Sequence, residues 1–357
     1  MRPLYVPCLR GKKGEITAIA QLPSNVRDRM LPLLDVPRRG LRAATEHLNL
    51  FAETVAQNYP GRSIMLDLHQ WRPDARAENN EHVLSYTKAR FDELGVSVNP
   101  VVGYDRWDDP EYQQAICDLK IGNGQRFCIR LESDAMEDMN DPDFFEDRIG
   151  DLLQKMELSP TNCYVMLDFA DLSQVAVSDL LAEADFALRF LGQRGFKDLI
   201  VVGSSMPPSI TTLIRKVKSS GYISRREMLV WKALKQEHSG LIFGDYAIRN
   251  PKLVEDVIAP NINGKIRYTI ENRHFVVRGH SMQIFPKGAQ NHDLAQAIID
   301  SEHYMGPSFS WGDLRIQECS EKTFRGNSTD WIAIDTNHHL HAVMAEIHEY
   351  QLQSSLI

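Results

Sequence analysis

The chain alternates between short apolar runs and longer stretches in which apolar residues recur every three or four positions. The short runs, many rich in β-branched residues, are Leu4–Cys8, Met30–Val36, Ser63–Leu68, Ser97–Val102, Arg126–Leu131, Cys163–Phe169, Asp198–Val202 and Gly240–Gly244. Near-continuous apolarity, rather than strict alternation, marks strands covered on both faces and hence a parallel sheet. Successive starts lie about 26 to 42 residues apart, room for a strand and a crossover helix. The intervening stretches carry the helical period. Ala44–Asn58 places Leu48, Phe51 and Val55 on one stripe, and Phe145–Met156 does the same with Ile149, Leu152 and Met156. Val83–Leu94 and Leu180–Leu191 follow suit, and Gly61, Gly95, Gly195 and Gly240 stand where helices end before the next strand. Eight such units predict an α/β fold, a (β/α)8 TIM-type barrel over residues 1–250. An open doubly wound sheet is the rival, but no GxGxxG follows the first strand.

The last barrel unit is longer. Pro208–Val217 reads as one helix, and Ser224-Arg-Arg-Glu227 reads as a capping box before a second, Arg225–Gln236. After Pro251 the pattern changes. Gly264–Thr269 and His274–Val277 predict a β-hairpin turning at Glu271–Arg273, followed by a helix near Asp293–Ser301. A strand-like Trp331–Asp335 and a terminal helix near His338–Leu352 complete the chain. Residues 251–357 are therefore predicted to be a C-terminal α+β extension, a β-hairpin with helices, docked on the barrel without a flexible linker.

Composition narrows the class. A chain 43% hydrophobic and 25% charged is of ordinary globular type, and a net charge of −8 opposes broad attraction to nucleic acid or an anionic membrane. Five cysteines without CxxC spacing read as reduced thiols, with Cys128 and Cys163 as small buried hydrophobes inside strand runs. No stretch reaches the roughly 18 apolar residues of a membrane span, and the N-terminus lacks a signal-like apolar run. A cytoplasmic protein with no membrane partner is expected.

In a (β/α)8 barrel, side chains at the C-terminal strand ends converge on one mouth. The strand ends here offer Arg10 and Lys13, Asp35, Asp67 and His69, Tyr104 and Asp105, Arg130 and Glu132, Asp168 and Asp171, Ser204 and Ser205, and Asp245 and Tyr246. Asp67, His69, Glu132, Asp168 and Asp245 are the catalytic candidates. Carboxylates of this kind hold Mg²⁺ through oxygen or supply an acid/base pair. Arg10 and Arg130 suit a phosphate or carboxylate, and Gly203–Pro208 could cradle a phosphate on backbone N–H groups. The plain alternative is that such an Asp merely caps the helix that follows it.

Asp67 and His69 share one strand face by alternation. His338 and His341 are spaced to share a helix face and could bind a metal, or they are exposed residues at a helix start. Arg267, Arg273, Arg278, His280 and Lys287 make the hairpin basic, with Tyr268, Phe275 and Trp311 close in sequence. They suggest a nucleic-acid or partner surface, or a solvated hairpin face. There is no Walker A loop, HExxH, GxSxG or zinc-spaced Cys/His set.

The chain resembles the phage-type beta protein family. The resemblance rests on Tyr5-Val-Pro-Cys-Leu-Arg-Gly-Lys-Lys-Gly-Glu15, Phe243-Gly-Asp-Tyr-Ala247, Ile266-Arg-Tyr-Thr269 with Arg278-Gly279, Phe309-Ser-Trp-Gly-Asp313, and Trp331 with Asn337-His-His339. It implies a setting in phage–host conflict, either anti-phage defence or a phage-encoded system, and carries no catalytic residues across. It also draws attention to Arg10, Lys13, Asp245 and Tyr246, at strands 1 and 8 of a closed ring, where Arg278 and Trp311 of the extension could join a composite site. Asp35, Arg130, Ser204 and Ser205 complete the ligand-binding candidates. Two functions follow. One is a subunit acting through a protein partner with a barrel-mouth binding site. The other is a metal-dependent phosphoester hydrolase or nucleotide-processing enzyme at the acidic mouth. A nucleic acid or nucleotide partner and the oligomeric state are left open.

Overall fold

The computed structural model describes residues 2–37, 42–252, 263–284, 286 and 288–354; Lys287 of the basic hairpin set lies outside them. The chain runs β1 (Tyr5–Leu9), α1 (Lys13–Ala20), α2 (Ser24–Arg27), β2 (Leu33–Asp35), α3 (Ala44–Asn58), β3 (Ser63–Asp67), α4 (Val83–Glu93), β4 (Ser97–Gly103), α5 (Pro110–Cys117) and β5 (Cys128–Leu131). It continues with α6 (Ser133–Asp138), α7 (Pro142–Lys155), β6 (Tyr164–Asp171), α8 (Val177–Gln193), β7 (Asp198–Ser204), β8 (Ser219–Ser224), α9 (Arg226–Leu234) and β9 (Ile242–Asp245). The remainder is β10 (Asn263–Ile270), β11 (Arg273–Ser281), α10 (Gln290–Ile299), α11 (Trp311–Ser320) and α12 (Ser328–Ser354).

Strands β1 to β7 and β9 form a closed barrel of eight parallel strands, sealed where Tyr5 of β1 lies beside Phe243 of β9. Alternation divides each strand. Val6, Met65, Cys128, Met166, Val202 and Ile242 turn inward and fill the ring, while neighbours such as Leu34, Leu66, Ile129 and Phe243 join the larger core beneath the helices. This inward parity decides which residue at each strand end reaches the mouth.

A second sheet, β10-β11-β8, is antiparallel. Its face packs Ile266 and Tyr268 against Leu294, Ile316, Trp331 and Ile334 of the C-terminal helices. Strand β8 comes from between β7 and β9, so the stretch before residue 250 lends a strand to the extension. The expected helix Pro208–Val217 is absent there: a single 3₁₀ turn, Ile210–Thr212, precedes the strand. Pairing with β11 and burial of Ile214 and Ile223 against Val276 override the weak local helix pattern. The capping box is also corrected. Arg225 is the N-cap of α9, and the Glu227 carboxylate instead accepts from the Ser205 N–H and hydroxyl. The strand-like Trp331–Asp335 is helical, part of the 27-residue α12.

Helix α12 ties the extension to the barrel. Asn337 donates to the Ala18 carbonyl of α1 at 2.9 Å, and His339 Nε2 donates to Asp245 Oδ2 of β9 at 2.9 Å. Among the described residues no helix is long and apolar enough to cross a membrane.

Candidate functional site

The floor of the barrel mouth is built on Arg130, the inward residue at the end of β5. Its Nη1 donates to Asp67 Oδ2 at 2.7 Å, and its Nε and Nη2 donate to Asp168 Oδ2 at 2.9 and 2.6 Å. Nη2 also donates to the Tyr246 hydroxyl at 2.8 Å, which in turn donates to Asp168. Arg106 reaches Asp67 Oδ1 at 3.0 Å. Gly103 makes this possible, because a Cβ there would collide with the Arg106 guanidinium. Burial works to raise the Asp67 pKa, but Arg106 and Arg130 outweigh it and hold the carboxyl well below its usual range. Asp67 and Asp168 are thus locked in charge-assisted pairs that set the floor.

Above this floor lies a cavity of about 330 Å³, lined by Arg10, Asp35, His69, Glu132, Tyr246 and Lys252 among others. His69, Asp105 and Glu132 stand at the ends of β3, β4 and β5, and one ligand atom from each lies within 4.8 Å of the others. The His69 Nδ1 to Glu132 Oε2 separation is 3.8 Å. In a filled shell with ligand bonds of ~2.1 Å, neighbouring ligand atoms sit roughly 3 Å apart. His69 and Asp105 are exposed, so their side chains are free to rotate between rotamers. One imidazole with two carboxylates suits Mn²⁺ or Zn²⁺ better than Mg²⁺. Burial raises the Glu132 pKa, with Arg130 opposing.

Asp35, at the end of β2, completes the cavity. Gln70 Nε2 donates to its Oδ2 at 2.9 Å. Its Oδ1 is buried with no hydrogen-bond partner among the described residues. Burial, with the nearby Asp67 charge, pushes its pKa up to about 6. Because the folded value exceeds the unfolded value of about 3.9, the stability contribution is full below pH ~4 and is lost as pH rises through ~6. Asp35→Asn is therefore expected to raise Tm relative to the wild-type chain at pH 7–8, with the difference vanishing near pH 4. Thermal unfolding followed across that range checks this.

The remaining candidates go elsewhere. Asp245 is an outward residue of β9, so it faces α12 and not the mouth. Its Oδ1 accepts from the Tyr5 hydroxyl at 2.5 Å and its Oδ2 from His339. Asp245→Ala takes the carboxylate partner from three buried groups, the Tyr5 hydroxyl, His339 Nε2 and the Ala247 N–H. It is expected to cost about 1–3 kcal/mol in urea unfolding, without loss of any rate measured at the mouth. Ser205 also turns outward, to Glu227, while Ser204 donates to the Arg249 carbonyl at 2.7 Å. Lys13 lines a different cavity. Arg278 donates to the Ile214 and Arg215 carbonyls, and Trp311 starts α11 beside the extension's core. Neither joins a composite site with strands β1 and β9.

The His338–His341 pair does not form a metal site either. His338 is buried between Asp313 Oδ2 and the Thr269 carbonyl, both at 2.8 Å, and His341 stacks on Phe309. Gln70, Arg106 and Lys252 carry no strand-end signal in the sequence, since they lie in loops beyond β3, β4 and β9.

No curated protein matches the sequence. The beta protein family model matches residues 5–345, nearly the whole length. The floor pairs Arg130 and Tyr246, the Tyr5–Asp245–His339 bridge and the cavity above them all fall inside that span, and the chain belongs to the beta protein family.

Proposed function

We propose that the protein is a metal-dependent phosphoester hydrolase acting at the barrel mouth. The observation that carries this reading is the convergence of His69, Asp105 and Glu132, two of which, His69 and Glu132, line a cavity that Arg10 and Lys252 also line. A divalent cation held by the three ligands would supply Lewis-acid polarisation of a phosphoryl oxygen. Arg10 and Lys252 bind the other phosphoryl oxygens. Arg10 is braced for this by its Nη2 bond to the Pro251 carbonyl at 2.9 Å. Asp35 is the general base. Gln70 orients it, its Oδ1 is an acceptor left unfilled among the described residues, and a pKa near the working pH is the condition for efficient transfer. The floor around Arg130 keeps these groups in place.

The test is hydrolysis of bis-p-nitrophenyl phosphate by the full chain with Mn²⁺. Activity that requires the metal, rises through pH ~6 and is lost in Glu132→Gln supports the reading. Equal rates in the wild-type chain and Glu132→Gln overturn it. A role in phage–host conflict through a protein partner is a separate reading that rests on family membership. It takes precedence if biological activity survives Glu132→Gln and Asp35→Asn.

A further inference from the structure

Lys13 points to a second cavity, across the β1 turn from the mouth and sharing none of its lining residues. It measures about 700 Å³, within the range of small-molecule sites. Two kinds of surface meet in it. Lys12, Lys13, Arg42 and Arg249 bring four cations, and among the described residues no carboxylate lines it. Two acids close to these cations are themselves engaged: Glu15 stands 3.1 Å from Arg249, and Glu46 3.7 Å from Arg42. In a chain of net charge −8, such a concentration of cations is a local reversal.

The other surface is apolar. Ile16, Leu50, Phe51 and Ile332 line it, and Leu50 is 48% exposed, a large hydrophobe left open to the cavity. Gly11 shapes the junction. It sits at a φ of +61° and any Cβ would strike the Phe51 ring, so the turn closes directly over that aromatic side chain. The Glu15 carboxylate pins the same turn by accepting from the Arg10 and Lys12 N–H groups. The first turn of α1 adds its positive dipole end beside Lys12 and Lys13.

We propose that this cavity binds a nucleoside phosphate, with the phosphate on the Lys12, Lys13 and Arg42 side and the base against Leu50 and Phe51. A bare anion would leave the apolar wall unused, and an uncharged ring would leave the cations unused. A site with both surfaces selects a ligand with both parts. The site is independent of the hydrolase reading.

Isothermal titration of the full chain at low salt tests it, using the four ribonucleoside monophosphates, adenosine and inorganic phosphate. At least one monophosphate is expected to bind one-to-one. Inorganic phosphate and adenosine should bind at least tenfold more weakly, and the same loss should follow from Lys13→Glu/Arg42→Glu. Both positions are exposed, so the double variant should keep its fold and Tm. Binding should persist in Glu132→Gln. The proposal fails if no monophosphate binds, if the double variant binds like the wild-type chain, or if phosphate alone binds as tightly. Loss of binding in Glu132→Gln but not in the double variant would move the nucleotide to the mouth, sinking this proposal and leaving the hydrolase reading intact.

Discussion

Arg130→Ala is expected to lower the free energy of unfolding by about 3–5 kcal/mol, the cost of leaving buried charge without its partner. Arg130 is 5% exposed and neutralises Asp67 and Asp168, which are 0% and 2% exposed. Without it, among the described residues Asp168 retains the Tyr246 hydroxyl and the Ala170 N–H, and Asp67 retains Arg106. Arg130→Lys is expected to recover only part of the loss, because an ammonium cannot reproduce the forked contacts to two carboxylates. Urea unfolding measures both. A loss below about 1 kcal/mol for Arg130→Ala would mean that the floor pairs contribute little to the barrel.

Asp35→Asn is expected to reduce kcat for phosphoester hydrolysis by about 10²–10⁴-fold, the usual worth of a positioned general base, with KM little changed. The amide keeps the Gln70 contact and the shape of the cavity but cannot accept the proton. The same substitution is expected to stabilise the chain above pH 6, as argued from the raised Asp35 pKa. Gain of stability with loss of rate is the signature of a group strained for function. A drop in kcat together with a lower Tm at pH 8 would instead indicate a structural role for Asp35.

Much of this architecture was legible because buried parallel strands leave near-continuous apolar runs. The runs around Ser63–Leu68 and Asp198–Val202 fall on β3 and β7 within a few residues. The extension was harder. The run Trp331-Ile-Ala-Ile-Asp335 mimics a strand because α12 is buried on several faces, with Trp331, Ala333, Ile334 and Leu340 all inside, so no single helical stripe shows. Strand β8 is short and polar, and its partner β11 lies about fifty residues later, a pairing that no local pattern records.

At the mouth, polar residues at the strand ends do not all point inward. Parity separates them. Ile242 turns into the ring, and Tyr246, four positions on, shares its inward side, so Asp245 must face out. The same rule separates Ser204 from Ser205. What no parity rule supplies is the reach of loop residues such as Arg106, which depends on a glycine at 103 leaving room for a guanidinium.

The most direct test of the account is metal binding by the chelator-stripped chain, read by equilibrium dialysis against Mn²⁺ and repeated for His69→Ala/Glu132→Gln. Neither side chain is fully buried, so the fold should survive the double substitution. One ion per wild-type chain, with affinity reduced at least tenfold in the variant, is the expected result. Absence of stoichiometric binding, or binding that the double substitution leaves unchanged, would contradict a metal-dependent site at the barrel mouth.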